Sequence, residues 1–296
     1  MAQHNHTPRL AATEEAVIVL FCLIDDAYYY TQLNPRGRRH ESLKRLSDSE
    51  VLALALLQQL RGTESQRSFL RDAERFFSHL FPGVIGLAPS SLHRRVRKLR
   101  RFLEPLRRNV AAELIGDPET LVVDSTLLPV VHPRQVRQSA GFDGAAWVRW
   151  GTFSVYGVKL HLICSTNRVP LSYELTAANV AEVKLTEELL EAADLNEDLA
   201  RRLFGDLAYR SEELEDALAG SGVLLVTERS RQGGKRQQVE IAFASLKRVF
   251  GIGETLAKTL VGLVTRIAAK ICAYTYAFLV NRRLGRLQDR IKDLWA

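Results

Sequence analysis

The chain has 296 residues, 46% of them hydrophobic, which is more than one typical domain needs for its core. Lysine and arginine (41) outnumber aspartate and glutamate (34), and the formal net charge of +7 favours an acidic partner such as nucleic acid. Three widely spaced cysteines, Cys22, Cys164 and Cys272, exclude a disulfide framework and a zinc-binding spacing and fit a reducing cytoplasm, while no apolar run reads as a secretion signal or a membrane span.

Residues 1 to about 12 are polar and read as a disordered tail, with His4 and His6 solvated. A helix is expected from Thr13 to Tyr29, then a basic loop through Asn34, Pro35, Arg36 and Gly37. Ser47 with Glu50 three residues on forms a capping box, which starts a helix carrying Val51, Leu52, Leu54, Leu57 and Leu60 and ending at Gly62. A second helix runs from about Ser65 to Leu80, and Pro82-Gly83 breaks the chain. The next helix is capped by Ser90 or Ser91. Its Leu92, Val96, Leu99 and Leu103 form a buried stripe, and its other faces are basic through Arg94, Arg95, Arg97 and Lys98. A short basic helix after other small helices resembles the recognition helix of a helix-turn-helix, and each arginine near a phosphate releases counterions on binding.

Gly116-Asp117-Pro118-Glu119 marks a boundary, after which the pattern turns from helical to extended. Leu121-Val122-Val123 reads as a buried strand leading to Asp124. Residues 132–151, with Arg134, Arg137, Trp147, Arg149 and Trp150, read as a basic aromatic loop of a kind that stacks on unpaired bases. Two strands, Thr152 to Cys164 and Val169 to Leu175, form a hairpin, with Lys159 and His161 on its more polar face. Asn179 caps a helix to Ala193, and Leu203-Phe204 is a strand leading to Asp206. Ser211 caps a helix to Ala219, and Val223 to Val226 is a strand. The helix from Arg236 to Phe250 holds Glu240, and a helical tail from about Glu254 to Leu294 follows. This order gives a mixed sheet with helices on its faces, and the first strand in the middle beside the fourth brings Asp124 towards Asp206.

Three carboxylates from a strand, a strand end and a helix repel one another unless a cation meets them, and an all-oxygen set suits Mg²⁺ or Mn²⁺. Each acid alone is as readily a cap or a solvated side chain. Arg236, Glu240 and Lys247 lie four and seven residues apart on one helical face, beside an apolar stripe of Val239, Phe243, Leu246 and Phe250.

Taken together, Val123-Asp124-Ser125-Thr126, Tyr156-Gly157-Val158-Lys159-Leu160-His161-Leu162, Leu175-Thr176-Ala177-Ala178-Asn179-Val180, Gly205-Asp206-Leu207-Ala208-Tyr209 and the Arg236–Glu240–Lys247 spacing resemble bacterial insertion-sequence transposases of the DDE type, most closely the insertion-sequence group nine-eighty-two. The pattern departs at Gly233 and Leu207, where many relatives have Tyr and Lys. The resemblance implies an RNase H-like core with a five-stranded mixed sheet (residues 118–252), an N-terminal helix-turn-helix-like DNA-binding region (residues 1–117) and a C-terminal helical extension packing on the core (residues 253–296). It implies that Asp124, Asp206 and Glu240 are catalytic and bind two Mg²⁺ ions, Mn²⁺ being able to substitute. Arg236, Lys247, Lys159, His161, Arg94, Arg95, Arg97 and Lys98 are then the DNA contacts, while Asp143 and Glu182 fall outside the acidic triad. The implied activity is metal-dependent cleavage at transposon terminal inverted repeats and strand transfer into double-stranded target DNA, by a homodimer, with no membrane. A nuclease or resolvase without strand transfer, or a silent transposase-derived DNA-binding protein, stands as an alternative.

Overall fold

The computed structural model describes residues 7–30, 43–132, 134, 136, 141–196, 199–227 and 234–294. The expected basic loop at 34–37 and the histidines at 4 and 6 lie outside these residues. The chain divides into two compact units: residues 1–110, 249–251 and 265–296 form one, and residues 111–248 and 252–264 the other. The last helical residues therefore group with the first helices.

In the first unit, α1 spans Thr7–Tyr30, beginning six residues before the expected start. Ala16, Val17, Leu20, Ile24 and Tyr28 are buried along it. α2 (Asp48–Leu60) starts at the capping box: Ser47 Oγ accepts from Glu50 N at 2.9 Å, and the Glu50 carboxylate accepts from Ser47 N at 2.5 Å. Every residue from Val51 to Leu60 is buried, so α2 is the central helix of this unit. α3 (Gln66–Phe77) is capped by Ser65. The basic helix is α4 (Pro89–Leu99), and its cap differs from expectation. Ala88 holds that position without a side-chain bond and Pro89 takes the first turn, where its missing N–H costs nothing. A 3-10 turn leads into α5 (Leu103–Ile115).

The long C-terminal helix, α9 (Leu260–Arg283), has the length and composition of a membrane span, but 83% of that stretch is buried inside the protein. Within the first unit its Lys270 bonds the Glu64 carboxylate and the Phe250 carbonyl, and Arg266 reaches Glu64 at 3.3 Å. Tyr274 meets Phe250 and Phe278 edge-on.

The second unit is built on a six-stranded mixed sheet, one strand more than expected. β1 (Thr120–Pro129) is central and carries on five residues past Asp124, so Asp124 is a mid-strand residue rather than a strand end. The additional strand is β2 (Ala146–Trp150), in the segment read as a loop. Its Trp147, Val148 and Trp150 are β-formers, and pairing with a long neighbour outweighed the turn signals of its flanking glycines. β3 (Phe153–Ser165) runs antiparallel to β1, to β2 and to β4 (Pro170–Ala177). Arg168, at φ 67°, turns the β3–β4 hairpin. β5 (Arg201–Gly205) pairs parallel with β1, and β6 (Val223–Thr227) parallel with β5. This is the juxtaposition that sets Asp124 beside Asp206, which follows the end of β5.

Alternation along β1 sorts its residues between two faces. Leu121 and Val123 pack with Ile163, Leu189, Leu203, Tyr209 and Leu214, under α6 (Thr186–Ala192) and α7 (Glu212–Gly220). Asn179 caps nothing here; a 3-10 turn at Glu182–Leu185 precedes a shorter α6. Ser211 does cap α7, accepting from Leu214 N. The opposite side of β1 and β3 is covered by α8 (Gln237–Arg248), through buried Val239, Ala242, Phe243 and Leu246.

Candidate active site

Asp124 projects from β1 on the same side as Val122, the side that α8 covers, and lies opposite Leu162 of β3. Its Oδ1 accepts from Ser125 N at 2.8 Å. The carboxyl is raised from 3.8 to about 6. Burial is the largest cause; the Ser125 N–H and the Arg236 charge pull the other way, and the charges of Asp206 and Glu240 add to the rise. Asp206 follows β5 and caps the 3-10 turn at Leu207–Tyr209, accepting from Ala208 N at 2.8 Å. Gly205 precedes it, and a Cβ there would press to 3.0 Å on the Tyr209 ring, so a side chain at this position would crowd the turn that carries Asp206.

Glu240 lies in the first turn of α8 and pairs with Arg236 at 2.7 Å. Burial works against the Arg236 charge, yet the Glu240 hydrogen bond and the charges of Asp124, Glu240 and Asp206 outweigh it and hold the guanidinium above its ordinary value. Asp124, Asp206, Glu240 and Arg236 thus share one electrostatic neighbourhood. Among the described residues, no three His, Cys, Asp or Glu side chains form a ready-made metal-holding group. Glu240 engages Arg236, and the two aspartates engage neighbouring backbone N–H groups. The donor chemistry, oxygen only, fits a hard divalent cation, and mutual repulsion at Asp124 is what such a cation relieves.

Two residues near these acids stand outside the expected site. Glu182, expected outside the site, lies beside it: its Oε1 accepts from Ser125 Oγ at 3.1 Å and from Lys159 Nζ at 2.8 Å. Tyr209 is buried, and burial raises its phenol strongly, with Asp124, Glu182 and Asp206 adding to the shift. A signal for Glu182 does exist: a lysine inside a sheet strand needs a carboxylate, and Glu182 follows the next strand of the hairpin. Tyr209 enters the sequence pattern only as the end of the Gly205-Asp206 motif.

The remaining expected contacts separate. His161 is fully buried, donates to or accepts from Thr176 Oγ1 at 2.9 Å, and is lowered to about 4 by burial with the Lys159 charge assisting. It is a neutral core histidine, and the expectation that it meets DNA is corrected. The polar-face reading failed because that face is covered. Lys159 is mostly buried and bonds Val180 O and Glu182. Lys247 is exposed at the end of α8. In the other unit, Arg94, Arg97 and Lys98 are exposed. Arg95 instead bonds Leu46 O and Asp48 Oδ1, both at 2.5 Å, tying α4 to the start of α2.

The family profile described as "Transposase DDE domain" matches residues 115–276, more than half of the chain. The chain belongs to this family. It is a DNA transposase, an enzyme acting on DNA, of a class that works with divalent metal ions. No curated protein matches it in sequence. Among solved structures it is similar to the piggyBac transposase synaptic complex with hairpin DNA, at 12% identity over 94% of this chain and 79% of that one, with a TM-score of 0.48. It is also similar to the Mos1 strand transfer complex, at 14% identity over 85% and 78%, TM-score 0.35. A third likeness is to the Mos1 mariner paired end complex with Mn, at 11% identity over 79% and 78%, TM-score 0.22.

Proposed function

We propose that this transposase cuts element ends and joins them to target DNA at Asp124, Asp206 and Glu240, and that it belongs to the insertion-sequence group nine-eighty-two. The observation that carries the site assignment is the parallel pairing of β1 with β5, which sets Asp124 beside Asp206, with α8 packed on β1 so that Glu240 and Arg236 also act on the Asp124 carboxyl. In this reading the three carboxylates hold two Mg²⁺ ions, Mn²⁺ being able to substitute. Ions held there would supply a nucleophilic water at neutral pH and would neutralise charge on the leaving oxygen. Arg236 and Lys247, flanking Glu240 on one helical face, orient the scissile phosphate, Arg236 exchanging its Glu240 partner for a phosphate oxygen. Asp206 is fixed by its own turn, and Ser125 holds the Asp124 carboxylate in one orientation. The central β1, with antiparallel strands on one side and parallel strands on the other, supports an RNase H-like core over residues 118–252.

Residues 1–117 are the DNA-binding region of this reading, with residues 253–296 as its C-terminal helical extension, and the enzyme works in the bacterial cytoplasm as a homodimer on paired ends. The direct test is incubation with the DNA flanking the gene, mapping cuts and joined products at nucleotide resolution. Cuts at the terminal inverted repeats with strand-transfer product are expected; cuts without joined product would sink the proposal.

The basic face of α4 gives a second expected result. Neutralising Arg94, Arg97 and Lys98 in the full chain should reduce the slope of log affinity against log salt by about 0.9 for each phosphate no longer neutralised. Arg95 is left in place because its bonds to Leu46 and Asp48 hold two helices together. A slope unchanged in a duplex-binding titration places the DNA surface elsewhere.

A further inference from the structure

The β2–β3 hairpin leaves large aromatic side chains in water. Trp147 is 47% exposed and Phe153 is 73% exposed. Trp147 and Arg149 alternate along β2 and so share a face, opposite Tyr156 and Ser154 of β3. The Trp147 and Tyr156 rings are 5.4 Å apart, tilted by 57°. Arg149 is exposed beside them, its Nε reaching Gly151 O across the turn. The result is a two-ring shelf with a guanidinium at its edge.

Its position is set by strand geometry. β1 pairs with β3 as far as Pro129 opposite Gly157, so Phe153 to Tyr156 extend past the end of β1. A Cβ at Gly157 would stand 2.4 Å from the Leu128 carbonyl oxygen, so glycine allows the close crossing from which the hairpin projects. β5 is parallel to β1, so the hairpin projects at the same end of the strands as Asp206, which follows β5. Tyr156 is six residues from Leu162, the partner of Asp124, and at about 3.3 Å per residue the shelf stands roughly 20 Å from that carboxylate. That is about six steps of one DNA strand.

We propose that this hairpin is a stacking platform for an unpaired base of the DNA strand leading to the catalytic carboxylates; the idea rests on the site assignment above. An aromatic face accepts any base, and Arg149 meets the adjoining phosphate; the charge of the partner is opposite to that of the shelf and of the chain as a whole. A role limited to holding the hairpin together through the Trp147–Tyr156 pair predicts no preference for unpaired DNA.

The experiment reads binding alone, so its outcome is separate from that of the cleavage assay. It uses the full chain and two synthetic probes: a blunt duplex, and the same duplex carrying an eight-nucleotide single-stranded tail. Wild-type protein should bind the tailed probe more tightly. Trp147→Ala should weaken tailed-probe binding about fivefold or more and leave the blunt duplex unchanged. Trp147→Phe should restore most of the loss, and the melting temperature should stay within about a degree of wild type because the side chain is half exposed. A fluorescent purine analogue in the tail should be quenched by wild type and not by Trp147→Ala. Equal loss on both probes, a tailed-probe loss well under fivefold, or an unquenched analogue with wild type each overturns the proposal.

Discussion

Asp124→Asn, Asp206→Asn and Glu240→Gln should each lower end cleavage and strand transfer by on the order of a thousandfold or more. Each substitution keeps the side-chain shape and removes one metal-binding charge. Metal catalysis contributes several kcal/mol of transition-state stabilisation, which is about that factor in rate. DNA binding should persist, because phosphate contacts come from arginine and lysine elsewhere. Removing a second acid should cost little beyond the first, since residues acting as a unit are not additive. A chelator should reproduce the loss with the wild-type protein. Asp143→Asn, at an exposed acid on the approach to β2, should leave activity near wild type. Glu182→Gln should reduce activity only modestly, because glutamine keeps an acceptor for Ser125 and Lys159. Near-normal cleavage by Glu240→Gln together with inactivity of Glu182→Gln would move the third ligand from α8 to the turn before α6.

Without metal, the ionised Asp124 should weaken the fold, and Asp124→Asn should relieve it. The folded carboxyl is raised from 3.8 to about 6. The unfolded chain therefore loses this proton first, and the contribution favouring the folded state is complete below about pH 3.8 and gone above about pH 6. At 1.36 kcal/mol per pKa unit, the ionised group costs up to about 3 kcal/mol at pH 8. In chelator at pH 8, Asp124→Asn should thus be more stable than wild type by about 1–3 kcal/mol, and the difference should vanish near pH 4. Adding Mn²⁺ should reverse the order, since a ligand at a hundred times its Kd stabilises the folded form by about 2.7 kcal/mol. Urea melts at pH 4 and 8, with and without Mn²⁺, measure all four states. An asparagine variant less stable than wild type at pH 8 in chelator would show that Asp124 is stabilised by partners that outweigh its repulsion.

Much of the sheet was legible because its signals are local. Leu121-Val122-Val123 is apolar and β-branched, Ser165 to Arg168 is turn-rich, and Ser47 with Glu50 can form only one kind of helix start. The spacing of Arg236, Glu240 and Lys247 beside Val239 and Phe243 likewise fixes which side of α8 faces the sheet. What escaped depends on partners far along the chain. β2 became a strand because β3 offers it a ladder, which no window over residues 146–150 contains. His161 alternates as a polar-face residue should, yet it is sealed against Thr176 of β4. Arg95 is indistinguishable by sequence from Arg94 and Arg97 until the carbonyl of Leu46 is seen to accept from it. Glu182 joins the acids only through Ser125 and Lys159, from two other strands.

The grouping of residues 265–296 with residues 1–110 has a consequence for how the protein is born. The first helices leave the ribosome long before the segment that completes their core. Ile271, Tyr274, Tyr276 and Phe278, all buried, are made after every strand of the sheet. Until then Glu64, beyond the end of α2, lacks its partners Arg266 and Lys270, while residues 111–248 already contain all six strands of their own sheet. A nascent chain stalled before residue 265 would hold a finished sheet and an unfinished helical unit, a state exposed to proteases and chaperones. Any activity that needs both units therefore switches on only once synthesis has passed the sheet and delivered this late helix.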